Sequence, residues 1–271
     1  MSFASGAHVG GSSLGVNLPP PIPRTIPKVL ERWLNVVFDL NGILCSCSDF
    51  GSRPIGQKFH LSTSPHSSTI PAHIHPKLVW VRPGCHDFLT ALSEFATVSV
   101  WSSMRLGTTL SVTRFLFENI ASPRVVMGQE SCTQIVTELV SNRPVFLKVK
   151  DTDKDIFLKT LSHGLFLKHG GSFSKDNTII VDDSPYKHIE NDPHNVLLSY
   201  SWSNKGDGRH DRFLMDILLP WLRKLHNSAA LGLATFREEN RLGREALSQQ
   251  ADNLEYIDLV AAIQKSKGLS F

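Results

Sequence analysis

The chain has 271 residues, a hydrophobic content of 41% and a formal net charge of +3 at pH 7. That length is enough to bury one sizeable core. Lysine and arginine form no dense block, so direct nucleic-acid binding is not predicted. No segment approaches the roughly 18–20 consecutive apolar residues of a membrane-spanning helix, so no membrane span is predicted either.

Composition divides the chain into three parts. Residues 1–27 are rich in glycine, serine and proline, which is typical of a disordered tail. Residues 28–226 carry the strongest apolar patterns and are predicted to form one domain, interrupted at 48–76 by a polar inserted loop rich in serine, proline and histidine. Residues 227–271 are predicted to add a helical extension with a sparse apolar stripe.

Within the domain, predicted strands alternate with predicted helices. The strands are the apolar runs NVVFD, KLVWV, TVSVWSS, RVVMG, TIIVDDS and NVLLSYSW. Apolar spacing and end signals predict helices in the segments 82–96, 105–120, 152–170 and 211–226. This alternation indicates an α/β fold with a mainly parallel central sheet and flanking helices.

Three of these strands end in acidic or hydroxyl side chains. One ends at Asp39, a second at Ser102 and Ser103, and a third at Asp182 and Asp183. Ligands of a parallel sheet bind outside the carboxyl ends of its strands, so these residues are predicted to share one site. Neighbouring carboxylates repel unless a cation lies between them, which favours Mg²⁺ together with a phosphate. Aspartate and serine also form turns and helix caps, which leaves a structural role open for each.

The order of the motifs resembles a known family. FDLNGIL is similar to the first motif of the haloacid dehalogenase (HAD) superfamily. The succession VRPGCHDFL, VSVWSS, FLKVKD and IIVDDSP resembles its FCP-type branch, the small C-terminal-domain phosphatases that are also called NLI-interacting-factor-like. The resemblance spans roughly residues 33–225 and implies a three-layer, Rossmann-like HAD fold.

The resemblance also implies a two-step phosphoryl transfer. Asp39 is then the nucleophile and forms an aspartyl-phosphate. Ser102 is expected to hydrogen-bond the phosphoryl oxygens, with Ser103 beside it as a further phosphate-binding residue. Lys148 is expected to neutralise charge on the nucleophile and the phosphate, and Lys150 is its alternative.

A Mg²⁺ cofactor is implied by the same resemblance. Its expected ligands are the Asp39 carboxylate, the backbone carbonyl of Asn41 and the pair Asp182 and Asp183, either of which is open as the contacting residue. Such a clamp suits phosphoryl transfer, where catalysis is mostly positioning and electrostatic stabilisation.

Asn41 departs from the family pattern. The family has a second aspartate there, which protonates the leaving alkoxide and then activates water. An amide cannot donate and regain that proton, and general acid–base catalysis is worth about 10²–10⁴-fold. Ile43 also replaces the usual threonine of this motif. His188 is an alternative proton donor, although a surface position is favoured for it.

Two functions are therefore expected. The first is a Mg²⁺-dependent protein serine/threonine phosphatase that acts on a phosphorylated protein or peptide and is weakened by Asn41. The second is an inactive pseudophosphatase that binds a phosphopeptide or a partner, including a role like that of the mitochondrial import translocase. The four cysteines lack the spacing of a disulfide framework, which favours a reducing nuclear or cytoplasmic compartment. A mitochondrial location is the weaker alternative, because the translocase subunit carries a membrane anchor and no membrane span is predicted here. The oligomeric state is not indicated.

Overall fold

A computed structural model describes residues 33–52, 60–141, 143–148, 153–244 and 254–267. These residues all fall within one compact unit that spans 32–271. The predicted tail lies outside the described residues. None of the described helices is both long and apolar enough to cross a membrane.

The strands of the described ranges are short, and most lie where apolar runs occur in the sequence. They are β1 (Asn35–Phe38), β2 (Cys45–Asp49), β3 (Ala72–Ile74), β4 (Lys77–Val81), β5 (Thr97–Trp101), β6 (Val126–Met127), β7 (Thr133–Gln134), β8 (Val136–Val140), β9 (Arg143–Phe146), β10 (Phe157–Leu158), β11 (Thr178–Asp182) and β12 (Val196–Leu198).

The α-helices of the same ranges follow strands or form the C-terminal part of the chain. They are α1 (Cys85–Ser93), α2 (Leu106–Leu116), α3 (Leu219–Asn227), α4 (Leu233–Glu239) and α5 (Leu254–Lys267). Two short π-helical turns, Ser162–Phe166 and Phe213–Leu218, and several 3₁₀ turns complete the described structure.

Five parallel strands form the central sheet in the order β12-β11-β1-β5-β6. The chain runs from β1 through β5 to β6 on one side of β1, and places β11 and β12 on the other side. Because the order reverses beside β1, the crevice outside the carboxyl ends of β1, β5 and β11 is the place where such a sheet binds ligands.

Alternate residues of β1 supply the two faces of the sheet, as a strand requires. Val36 and Phe38 belong to the larger core, which Phe88 of α1 and Leu222 of α3 cover. Val37 belongs to a second core on the opposite face, with side chains that include Trp101 and Leu165. Helical segments therefore lie on both faces of a parallel sheet, and the predicted three-layer α/β fold is confirmed.

One predicted helix is wrong over most of its length. The segment 152–170 was expected to be helical, but Phe157–Leu158 forms β10, which pairs antiparallel with β7. Only the π-helical turn Ser162–Phe166 follows. The apolar spacing of this segment mimics a helix, but pairing with a distant strand outweighs local preference. The predicted helix at 211–226 is confirmed as a π-helical turn that continues into α3.

The predicted insertion and C-terminal extension both contribute ordered elements. β3 lies inside the 48–76 segment and joins β2 and β4 in an antiparallel sheet of order β2-β4-β3. α5 packs Leu259 and Ile263 against a small core that contains Ile135 and Leu158. Part of the insertion, residues 53–59, lies outside the described residues.

Candidate functional site

The carboxyl ends of three neighbouring strands deliver polar side chains to one edge of the sheet. Asp39 follows β1, Ser102 follows β5 and Asp182 ends β11. β1 lies between β5 and β11, so the three side chains converge. The backbone continues the parallel ladder up to the site, since the Asp39 N–H donates to the Val181 carbonyl at 2.9 Å.

Asp39, the predicted nucleophile, is almost completely buried at this edge. Its Oδ1 accepts a hydrogen bond from the Leu40 N–H at 2.8 Å. Its Oδ2 lies 2.9 Å from Lys187 Nζ and 3.3 Å from Lys159 Nζ. Two ammonium groups therefore balance the charge of this carboxylate and fix its orientation.

Asp182 shares the same two lysines and is fully buried. Its Oδ2 lies 2.5 Å from Lys159 Nζ, and its Oδ1 lies 3.4 Å from Lys187 Nζ. Burial alone would raise the pKa of Asp182, but Lys159 and then Lys187 hold that pKa well below its ordinary value. Asp182 is therefore an anion that orients both lysines.

Lys187 lies on the 3₁₀ turn Pro185–His188, which follows β11 directly. Burial alone would lower the pKa of Lys187, but Asp182 and Asp39 raise it well above its ordinary value. The side chain therefore stays charged, although only 9% of it is exposed.

His188, on the same turn, is buried, so the expectation of a surface histidine is wrong. Asn191 Nδ2 lies 3.1 Å from its Nδ1, which assigns the ring proton to Nε2 if the amide donates. Nε2 lies 3.2 Å from Asp182 Oδ2. Burial lowers the pKa of His188 despite the opposing effect of Asp182. We therefore describe the ring as neutral.

The two lysine-bearing segments are joined by their backbones. The Lys159 N–H donates to the Lys187 carbonyl at 2.8 Å. Asn191 reinforces this junction, because its Nδ2 donates to the Lys159 carbonyl at 2.7 Å and its Oδ1 accepts the Leu161 N–H at 2.8 Å. The position of Lys159 thus depends on Asn191, more than 30 residues later in the chain.

Asn41 and Gly42 form the turn that follows Asp39. The Asn41 side chain is exposed, and its Oδ1 accepts the Cys47 N–H at 2.7 Å. Gly42 has a φ of +86°, and a Cβ at this position would collide with the Asp183 carboxylate. Glycine therefore allows Asp183 to lie against the turn. Burial, followed by the charges of Asp182 and Asp39, raises the pKa of Asp183.

Ser102 and Ser103 lie on the other side of Asp39. Ser102 is buried, and its Oγ accepts the Met104 N–H at 3.2 Å. Ser103 is partly exposed. The structure brings both serines to the edge that holds Asp39, as the sequence predicts; their phosphate-binding roles stay predictions.

A cavity of about 620 Å³ opens over this edge of the sheet. Its lining is polar and carries charges of both signs. The lining residues used below are Asp39, Asn41, Ser102, Ser103, Asp183 and Lys187. A phosphate group that enters the cavity beside Asp39 can therefore meet the candidate nucleophile, the hydroxyl groups of Ser102 and Ser103 and the ammonium group of Lys187; further cationic side chains of the lining are Lys77, Arg105 and Lys154.

Lys148 does not lie in this cluster, which corrects its expected position. Its Nζ donates to the Asp153 carbonyl at 2.9 Å and lies 3.5 Å from Asp155 Oδ1, and 49% of its side chain is exposed. Its alternative, Lys150, lies outside the described residues. Lys159 takes the place beside Asp39 that was expected for Lys148, because β10 and the junction with the Pro185–His188 turn carry it under the sheet edge.

Sequence reasoning missed Lys159, Lys187 and the burial of His188. A signal for Lys159 exists, since it interrupts the apolar run IFLKTL, where a solvated lysine is out of place. Lys187 follows DDSPY closely enough to reach back to the strand end. The local sequence does not place either lysine beside Asp39, because both positions depend on carboxylates that are distant in the chain.

The acidic residues fit Mg²⁺ in donor type but not in charge. Asp39, Asp182 and Asp183 offer carboxylate oxygens that all lie within 4.8 Å of one another, which suits a hard cation. However, Lys159 and Lys187 already pair with the first two. A divalent ion at Asp39 has to compete with these ammonium groups, so Mg²⁺ stays a prediction.

One protein family matches the chain over most of its length. The family described as NLI interacting factor-like phosphatase matches residues 34–231. No curated protein matches the chain at a significant level.

Two solved structures are similar to this chain at low sequence identity. One is Fcp1, described as an essential RNA polymerase II CTD phosphatase, with 12% identity and a TM-score of 0.39 over 86% of this chain and 62% of that one. The other is Fcp1 of fission yeast bound to beryllium fluoride, with 15% identity and a TM-score of 0.39 over 84% of this chain and 57% of that one. The chain therefore spans less than two thirds of either structure.

Proposed function

Because the chain belongs to the NLI interacting factor-like phosphatase family, we propose that it acts on a phosphorylated serine or threonine of a protein and that Asp39 is its nucleophile. One observation supports this proposal above the others. Asp39 lines a cavity, and its carboxylate lies beside the ammonium groups of Lys159 and Lys187. Phosphoryl transfer depends chiefly on positioning and charge stabilisation, which this arrangement supplies.

The first step transfers the phosphoryl group to the protein. An oxygen of Asp39 attacks phosphorus, the bond between phosphorus and the serine or threonine oxygen breaks, and an aspartyl-phosphate forms. The oxygen that leaves takes the bonding electrons and needs a proton. Lys187 and Ser102 line the cavity beside Asp39, where they can stabilise the oxygens of the phosphoryl group.

Asn41 leaves this step without the usual proton donor. Its Oδ1 is held by the Cys47 N–H at 2.7 Å, so the amide keeps a fixed position at the cavity. An amide neither donates its proton to an alkoxide nor recovers one from water. The second step, attack of water on the aspartyl-phosphate, needs a base and suffers for the same reason. Both steps are therefore slow, and so is turnover.

Hydrolysis assays on the native chain and three variants test the proposal. With p-nitrophenyl phosphate, whose leaving group needs little protonation, the native chain should turn over slowly and Asp39→Asn should be inactive. With a phosphoserine peptide, Asn41→Asp should raise the rate by about 10²–10⁴-fold. An aspartate at position 41 keeps an acceptor for the Cys47 N–H, so it should fit without rearrangement. Asn227→Asp, at an exposed position at the end of α3, is the matched control.

A second function is favoured by Asn41 alone. If the proton donor is lost without replacement, the domain is a pseudophosphatase that binds a phosphopeptide or a partner protein. The two proposals separate in one comparison. Inactivity of both the native chain and Asn41→Asp on p-nitrophenyl phosphate, with folding intact, would leave only the binding role.

A nuclear or cytoplasmic location remains part of the proposal. It is supported by the four cysteines, which are all free thiols. Mg²⁺ dependence is expected from the family resemblance, but it conflicts with the ammonium groups that already pair with Asp39, so it is not part of the proposal.

A further inference from the structure

We propose that the Lys187 ammonium group takes the place of a metal cation beside Asp39, so that a phosphate group binds in this cavity without a divalent metal ion. The proposal rests on the phosphatase-like function above and deepens it, because it names the charge that receives the phosphate. It also predicts that Lys187 and a divalent cation compete for one place.

The position of Lys187 is the first support. Its Nζ lies 2.9 Å from Asp39 Oδ2 and 3.4 Å from Asp182 Oδ1, so one ammonium group bridges the carboxylates at the ends of two adjacent strands. These are two of the three carboxylates of the acidic cluster at this edge, whose third member is Asp183. Lys187 therefore occupies the side of Asp39 that a metal ion would approach.

The two lysines of the cluster differ in their access to a ligand. Lys159 is completely buried, lies between Asp39 and Asp182, and is not part of the cavity lining among the described residues. Lys187 lines the cavity together with Ser102 and Ser103. Lys159 is thus a positioning residue beneath the carboxylates. Lys77, Arg105 and Lys154 also line the cavity, but of the two lysines paired with Asp39, Lys187 is the one that a phosphate in the cavity can contact.

Charge and space together make the competition with a metal ion strong. Mg²⁺ binds carboxylate oxygens at about 2.0–2.1 Å, so an ion on Asp39 Oδ2 would lie within a few ångströms of Lys187 Nζ. Like charges at such a separation repel strongly where water is excluded, and only 9% of the Lys187 side chain is exposed. Removal of this ammonium group should therefore strengthen metal binding and weaken metal-free phosphate binding.

The test titrates the full chain with inorganic phosphate and with Mn²⁺ in separate experiments. Calorimetry measures the dissociation constant of phosphate, once with a chelator present and once with Mn²⁺ present. Electron paramagnetic resonance of free Mn²⁺ measures metal binding without any catalytic readout. The variants are Lys187→Met and, as a matched control, Lys168→Met at an exposed position outside the cavity lining.

We expect the native chain and Lys168→Met to bind phosphate as tightly with the chelator as with Mn²⁺. Lys187→Met should lose at least about tenfold in phosphate affinity with the chelator and bind Mn²⁺ at least about tenfold more tightly, as expected when a buried countercharge is removed. If Lys187→Met does not fold, the two phosphate titrations of the native chain still test whether phosphate binds without a metal ion, and a requirement for Mn²⁺ overturns the proposal.

Three results would overturn the proposal. A native chain that binds phosphate only with Mn²⁺ needs the metal, and the phosphatase-like function then survives without a cationic role for Lys187. Unchanged phosphate and Mn²⁺ affinities in a folded Lys187→Met variant would also exclude a cationic role for Lys187 and leave the phosphatase-like function standing. A native chain that binds no phosphate under either condition removes the proposed function as well. Phosphate binding together with inactivity of both the native chain and Asn41→Asp on p-nitrophenyl phosphate supports the Lys187 proposal while it refutes catalysis by Asp39.

Discussion

Two regions of the molecule pair lysine with aspartate in opposite surroundings. At the carboxyl edge of the central sheet, Lys159 is fully buried and lies 2.5 Å from Asp182. Between β9 and β10, Lys148 lies 3.5 Å from Asp155, and 49% of its side chain is exposed. Water screens the second pair and lets it rearrange, whereas the first pair has no solvent to replace a lost partner.

This difference shows where an ion pair can hold a charged side chain in one position. An exposed ion pair contributes little to stability, and its geometry fluctuates, so it cannot hold a reacting group in place. A buried pair costs desolvation when it forms, and it holds its atoms in one arrangement only if every charge is matched. The cluster of Asp39, Asp182, Lys159 and Lys187 meets that condition.

The largest expected effect is the loss of stability when the buried Lys159 is replaced. Lys159→Met should lower the free energy of unfolding by about 3–5 kcal/mol, because it leaves two buried carboxylates with one ammonium group between them. Lys148→Met should lower it by no more than about 1 kcal/mol. Urea unfolding followed by circular dichroism measures both values. Equal losses in the two variants would contradict the contrast.

A second, smaller effect extends the contrast to arginine. Arg82 is buried and donates to both carboxylate oxygens of Asp211 at 2.8 and 2.9 Å, and to the Ile43 carbonyl at 3.0 Å. Arg82→Met should cost roughly 2–3 kcal/mol, since buried hydrogen-bond partners are left unmatched. Arg212 pairs with Asp216 on the surface, one helical turn away. Arg212→Met should leave the urea midpoint unchanged, and a comparable shift in both variants would count against burial as the cause.

The smallest effect concerns the pH dependence of stability. Burial lowers the pKa of His188 below its ordinary value near 6.5, so the unfolded chain takes up a proton first as the pH falls. The stabilisation is complete above that ordinary value and is lost as the pH falls toward the pKa of the folded state. One such group contributes at most about 1.4 kcal/mol per pH unit.

His188→Gln should therefore flatten the decline in the free energy of unfolding between pH 7.5 and 5.5. His194→Gln, on a turn where the histidine is partly exposed, controls for the loss of a histidine as such. Urea unfolding at several pH values gives both slopes. A decline as steep in His188→Gln as in the native chain would assign it to other groups.

Most of the fold was predictable because its signals are local. The apolar runs that became β1, β5 and β11 are short, separated by helical patterns and closed by polar residues, which indicates a parallel sheet. The segment 152–170 was not predictable in this way. Its apolar spacing is helical, but β10 forms there because it hydrogen-bonds with β7. The local sequence does not indicate this pairing, since β7 lies more than 20 residues earlier in the chain.

The sequence by itself determined that Asp39, Ser102 and Asp182 share one edge of a parallel sheet, because strand ends are read from local periodicity and parallel strands share their carboxyl side. It also determined the amide at position 41, where the family resemblance implies an aspartate. Only the tertiary structure decided which lysines face the candidate nucleophile. The apolar neighbours of Lys159 indicate burial, but they do not indicate which carboxylates it meets. The paths of β10 and of the turn after β11 decide that.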